Sequence, residues 1–93
     1  MKDYMKESCH FIADNYGINS QIYVAIEEMS ELQKELCKYK RNQNNIPSIA
    51  EEIADVRIML EQLEHLFGID ITVENQMDYK LNRQLERMKQ ERR

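Results

Sequence analysis

Glu28 and Glu31 stand three residues apart, as do Glu52 and Asp55, and these are the side chains whose type and spacing can do chemistry. A three-residue step on a helix sets two side chains about one turn apart on one face, so each pair can grip a cation from one side. Two such pairs on facing helices make a site of carboxylate oxygens only. That is the ligand set hard divalent ions such as Mg²⁺ take, with Mn²⁺ as a substitute. Glu52 sharpens the expectation. At roughly 100° per residue, Ile49, Ile53, Val56, Leu60, Leu63 and Phe67 form one apolar stripe, and Glu52 is expected to project from within it. A carboxylate there must be protonated, paired or metal-bound. These residues favour metal over a solvated or salt-bridged surface.

Positioning the four acids takes helices, and the rest of the sequence supplies them. A first helix is expected over about residues 2–15, with Met5, Ile12 and Tyr16 on one face and Gly17 as its stop. A second, about 20–40, can be capped by Asn19 or Ser20 and carries a stripe of Ile22, Ile26, Met29, Leu32 and Leu36. The polar run RNQNNIP breaks the periodicity and reads as a loop. Ser48 then opens a third helix, about 48–67, with Glu51 completing a capping box, and Gly68 ends it. Thr72 is expected to cap a fourth helix of about 73–90, whose stripe is Val73, Met77, Leu81, Leu85 and Met88 and whose charged end, MKQERR, is expected to fray. The sum is one all-α domain, an antiparallel four-helix bundle.

At 93 residues the chain is near the lower end of what one core can hold, so assembly as a homo-oligomer is expected. With 42% hydrophobic and 32% charged residues, the composition favours helices over a β-sandwich. The net charge of −4 argues against nucleic acid as the main partner. Cys9 and Cys37 both fall in apolar-patterned stretches and are expected as buried free thiols. His10 and His65 do not combine with them at zinc-ligand spacing. The N-terminus lacks the apolar run of a signal peptide and no stretch reaches transmembrane length, so a cytoplasmic location and no membrane partner are expected.

Other charged residues divide by position. Glu27 points away from the stripe, Glu51 has its capping role, and Glu35 shares the flank of Glu28 and Glu31 but reads best as a surface glutamate. Lys80, Arg83 and Arg87 follow i, i+3, i+7 spacing along the fourth helix and form a basic flank able to neutralise phosphate opposite the metal, with a solvated, helix-stabilising face as the equal alternative for Arg83 and Arg87. Lys80, nearest the stripe, is the better phosphate ligand of the three. Phe11, Tyr16, Tyr23 and Tyr39 can stack on a nucleobase, although aromatics and methionines at helical spacing are more often core. Two glycines cannot build a phosphate-cradling loop or a nucleophile elbow.

With these residues in hand, the sequence resembles the MazG-like family of all-α nucleoside triphosphate pyrophosphohydrolases. The resemblance lies in IEEMSELQKELCKYKR (residues 26–41), EEIADVRIMLEQL (51–63) and YKLNRQLERM (79–88), and it covers most of residues 20–88. The family's motif, E-x-x-E followed after a spacer by E-x-x-D, falls on Glu28, Glu31, Glu52 and Asp55. The resemblance implies a helical bundle assembled as a dimer or tetramer, Mg²⁺ held by the four acids, and cleavage of the α–β phosphoanhydride of an NTP or dNTP to monophosphate and pyrophosphate. The chain is shorter than fuller members, with a short loop between motifs, and this leaves the nucleobase pocket undefined. Two alternatives stand beside it: a phosphoribosyl-ATP pyrophosphohydrolase-like enzyme, and an oligomerising helical module without catalysis.

Overall fold

Gly17, the turn at residues 41–45 and Gly68 punctuate the chain into four α-helices in the computed structural model, which describes residues 1–92. They are α1 (Asp3–Tyr16), α2 (Ile18–Lys40), α3 (Ile46–Phe67) and α4 (Asp70–Glu91). Three helices begin earlier than their expected caps, and the reason is local. Gly17 adopts φ +85°, a value glycine reaches without strain, so the chain turns in one residue and α2 opens at Ile18. Asn19 and Ser20 therefore lie inside the helix. Likewise Pro47 sits in the first turn of α3, where its missing N–H would have no partner within the helix, and Ser48 is interior. Gly68 takes the left-handed conformation: its N–H donates to the His65 carbonyl at 3.2 Å and that of Ile69 to Glu64 at 3.0 Å. This double closure turns the chain straight into α4 and leaves Thr72 inside it. α4 runs on to Glu91, through most of the charged end MKQERR, whose final residue lies outside the described residues.

α3 is the hub. It packs against α2, α1 and α4, while α1 and α2 touch less and α4 touches neither of them. Ala13 and Cys9 are buried on α1, their small side chains letting that helix approach closely. Just outside them His10 Nε2 donates to Glu61 Oε2, and His65 Nε2 to Asp14 Oδ1, both at 2.8 Å. The two imidazoles stack with centroids 4.1 Å apart and planes 8° from parallel. Both pairs span 51 residues, so α1 and α3 run in the same direction.

Against α2 the contact is of a different kind. Gln21 and Ala25 are buried, and Glu28, Leu32 and Glu35 half-buried, a row spaced i, i+4, i+7, i+11, i+14 along one face. From α3 the matching row is Ser48, Glu52, Asp55, Met59, Gln62 and Leu66, with Met59 and Gln62 buried. The centre of this seam is polar: Gln21 and Gln62 are only 4% and 2% exposed. Glu52 therefore does not interrupt the apolar stripe of α3. It belongs to the seam row, about a quarter-turn round the helix from that stripe.

The stripes themselves lie beside the seam, largely uncovered. Ile26, Met29 and Leu36 on α2, and Ile53, Leu60 and Phe67 on α3, are exposed, with Ile22, Leu32, Ile49, Val56 and Leu63 half-buried. On α4 only Val73 is half-buried, and Met77, Leu81 and Leu85 are 56%, 62% and 57% exposed. The buried apolar core is small and consists of Cys9, Ala13, Ala25 and Met59. Met5, Ile12 and Tyr16 on α1 are exposed, as are Phe11, Tyr23 and Tyr39, contrary to a core reading of those residues. Cys37 departs from expectation too: it is exposed on a face of α2 away from the seam, while Cys9 is buried, and both are free thiols. No helix among the described residues is long and apolar enough to cross a membrane.

Candidate metal centre

Half-way along the α2–α3 seam the paired rows place Glu28 against Glu52 and Asp55. One carboxylate oxygen from each of the three lies within 4.8 Å of the other two. Glu28 and Glu52 are half-buried and Asp55 is exposed, so the group opens to solvent on one side. Glu52 Oε2 is buried without a hydrogen-bond partner. Leaving a buried acceptor unpaired costs about 1–3 kcal/mol, and more when it is charged.

The electrostatics follow from this crowding. Desolvation pushes the Glu28 carboxyl above its ordinary value, and so do the charge of Asp55 and a hydrogen bond to it that requires a shared proton. Glu52 and Glu31 add smaller contributions. Glu52 is likewise raised, first by desolvation and then by Asp55, Glu31, Glu35 and Glu51. Both shifts have the same two causes in the same order: loss of solvent around the carboxyl, then repulsion from neighbouring acids. A divalent cation bound by oxygen relieves each of these penalties at once, and the donor set suits a hard ion.

Three of the four sequence-expected ligands are thus brought together. Glu31, the fourth, is exposed and outside the three-oxygen group, yet close enough to raise both Glu28 and Glu52. Lys80 and Arg83 are exposed on α4, which does not touch α2, and the Arg83 guanidinium sits 5.5 Å over the Tyr79 ring. Within one chain the basic flank therefore contributes nothing to the carboxylate group.

Sequence reasoning missed the clamp beneath the site. Asn45 Nδ2 donates to the Glu35 carbonyl at 2.8 Å and to Glu35 Oε2 at 2.6 Å, while Lys38 Nζ donates to Oε1 at 3.2 Å. Asn45, then Lys38, hold the Glu35 carboxyl below its ordinary value. Glu35 is therefore no surface glutamate. It is the acid of this seam row that already has its partners, tying the start of α3 to α2 one turn beyond Glu31. Asn45 lay inside a run that reads only as loop, and nothing local marks it out.

Comparison with family models, with curated proteins and with solved structures finds no match to this chain.

Proposed function

We propose that the protein is a Mg²⁺-dependent nucleotide pyrophosphohydrolase, cleaving the α–β phosphoanhydride of NTPs or dNTPs to the monophosphate and pyrophosphate. The observation that carries the reading is the trio of carboxylate oxygens of Glu28, Glu52 and Asp55 within 4.8 Å of one another, which no ion pair among the described residues reaches. The resemblance of both acidic motifs to the MazG-like family supplies the reaction. The contacts support an antiparallel α2 and α3, since Glu28 meets Asp55 while Glu35, further along α2, meets Asn45, further back.

Glu28, Glu52 and Asp55 would hold the ion. Once bound, Mg²⁺ supplies neutralisation of the polyphosphate and a template for the attacking water. Glu31, beside the group and exposed, is placed to accept that water's proton while keeping its own charge in solvent. Asn45 and Lys38 keep Glu35 from competing, because its carboxylate is fully engaged with them. The homo-oligomer expected from the chain's length is supported by the uncovered stripes of α2, α3 and α4.

Those same stripes favour a second reading, a helical interaction module without catalysis. One experiment separates the two: a panel of NTPs and dNTPs with Mg²⁺, scoring pyrophosphate apart from orthophosphate. The enzyme reading expects metal-dependent pyrophosphate release that EDTA stops. Release of orthophosphate alone, or none with any nucleotide, refutes it.

A further inference from the structure

Tyr39 stands four residues beyond Glu35 in the seam row of α2, past the point where α3 begins, so it borders the turn between the two helices. A cavity of about 320 Å³ lies there, lined by Tyr39, Asn42, Gln43 and Asn44. Its wall is therefore one aromatic ring, 51% exposed, and three amides, with no charged group among them. The side chains of Asn42, Gln43 and Asn44 make no hydrogen bond among the described residues.

The turn is held at both ends. Asn42 takes φ +65°, a left-handed conformation that asparagine tolerates better than most residues. Its N–H donates to the Tyr39 carbonyl at 3.0 Å and that of Gln43 to the Lys38 carbonyl at 3.2 Å, the paired closure of a helix C-terminus. Two residues on, the Asn45 side chain is tied to Glu35 at 2.8 and 2.6 Å. Asn42 thus has a local reason to be asparagine. Gln43 and Asn44 have none, and the pinned backbone on either side holds their amides around the ring. A site ordered in advance in this way loses little entropy when a ligand enters.

A flat face for stacking, with amide donors and acceptors at its edge, is the chemistry that recognises a nucleobase. The volume stands at the low end of small-molecule sites, about 300–1,000 Å³, enough for a base but not for a whole nucleotide. Among the bases, a side-chain amide matches adenine, whose amino group donates and whose N7 accepts along one edge. Guanine's paired acceptors call for a guanidinium or ammonium group, which the lining lacks. Position agrees as well. Tyr39 lies about 12 Å along the axis of α2 from Glu31 and about 16 Å from Glu28, the stretch that ribose and phosphates cover in an extended nucleotide. We propose that this cavity seats an adenine ring, stacked on Tyr39 with its edge read by Gln43 and Asn44, while the polyphosphate runs along the seam to the carboxylate group. The substrate is then an adenine nucleoside triphosphate. That the base belongs to a substrate rests on the pyrophosphohydrolase reading; the base-binding cavity itself does not.

The test reads the base apart from the phosphates and apart from turnover. The full chain is titrated calorimetrically, in Mg²⁺, with the α,β-methylene triphosphates of adenosine, guanosine, cytidine and uridine, which resist cleavage at the proposed bond, and with inorganic tripolyphosphate. The adenosine analogue should bind roughly tenfold or more tightly than the others and than tripolyphosphate, the gain expected of one base–aromatic stack with its hydrogen bonds. Tyr39→Ala, and Gln43→Ala with Asn44→Ala, should each remove most of that preference while leaving tripolyphosphate affinity and the helical circular dichroism signal unchanged. Tyr39→Phe, which retains the ring, should keep it. Equal affinity for all the nucleoside analogues, a preference for another base, or an adenine preference that survives in both variants overturns the proposal. Pyrophosphate release without base preference removes this cavity and leaves the enzyme reading. An adenine preference that the variants abolish, with no hydrolysis of any nucleotide, removes the enzyme reading and leaves the cavity standing.

Discussion

α3 faces a polar helix on two sides, and the acids on the two sides differ in what they meet. Toward α1, Glu61 and Asp14 each take an imidazole at 2.8 Å, and the two rings stack at 4.1 Å. Toward α2, the oxygens of Glu28, Glu52 and Asp55 gather within 4.8 Å of one another, with further acids nearby and no ion pair among the described residues reaching them. The first contact gives each of its acids a hydrogen-bond donor and acts as a clasp. The second does not, and Glu52 Oε2 is buried with no donor at all. Carboxylates of one helix can therefore be partnered on one face and unpartnered on another, and the difference lies in whether the fold itself supplies the donor.

The comparison breaks most visibly if seam and clasp are exchanged for one another in activity. Glu52→Gln and Asp55→Asn keep size and remove charge, and each should lower pyrophosphate release by roughly 10²-fold or more, the usual loss when a preorganised electrostatic group is removed. Glu28→Gln should behave likewise. Glu31→Gln should also lose activity but keep Mg²⁺ affinity within a few-fold, since it stands outside the three-oxygen group. Steady-state release and metal titration on the same preparations check all four.

The clasp should answer in stability and not in metal affinity. His10→Ala leaves Glu61 without its donor in a part-buried position, and should cost about 1 kcal/mol, because both side chains retain some solvent. For a domain of this size that is a fall of roughly 4–8 °C in the melting midpoint, readable by circular dichroism, with Mg²⁺ affinity unchanged. A His10→Ala protein that lost its metal would erase the distinction.

Smaller again is the pH effect. Glu28 and Glu52 have folded-state pKa values above their ordinary one, so between the two values the folded chain binds more protons than the unfolded chain. Their penalty is therefore present at neutral pH and relieved on acidification. Without metal, the melting midpoint should rise as the pH is lowered from neutrality toward the ordinary carboxylate value of 4.5, and saturating Mg²⁺ should flatten that rise. Glu35 works in the opposite sense, its lowered pKa giving stability that is lost only as the pH falls below its ordinary value of 4.5. A metal-free midpoint that fell over the same window would contradict the seam's electrostatics. Smallest of all, Glu27→Gln should stay within about 0.5 kcal/mol of wild type and keep its activity, being an exposed residue outside both contacts.

The four helices, and three of the four acids that the fold gathers, were legible because both are local: a period near 3.6 marks a helix, and a three-residue step marks two side chains on one face. Which face meets which neighbour was not. The stripe Ile22, Ile26, Met29, Leu36 marks an apolar side of α2, but within the chain the row of Gln21, Ala25, Glu28 and Leu32 is the more buried one. The same quarter-turn moved Glu52 from an apolar stripe into a polar seam, leaving its unsatisfied burial intact but changing its cause. Ser48 and Thr72 have side chains suited to capping, yet Pro47 and Gly68 set the helix starts before them. The clasp joins residues 51 apart, and no local pattern links His10 to Glu61 or Asp14 to His65.

The contrast between a clasp whose acids have donors and a seam proposed to take an outside cation is tested most directly by titrating Mg²⁺ into the metal-free protein and into Glu52→Gln, following heat and melting midpoint together. Saturable binding should raise the wild-type midpoint, by about 2.7 kcal/mol of stability at a hundredfold excess over Kd. Glu52→Gln should begin more stable than metal-free wild type, having lost a buried charge, and should gain little from Mg²⁺. Equal midpoints with and without millimolar Mg²⁺ in the wild type, or equal gains in both proteins, would contradict the account.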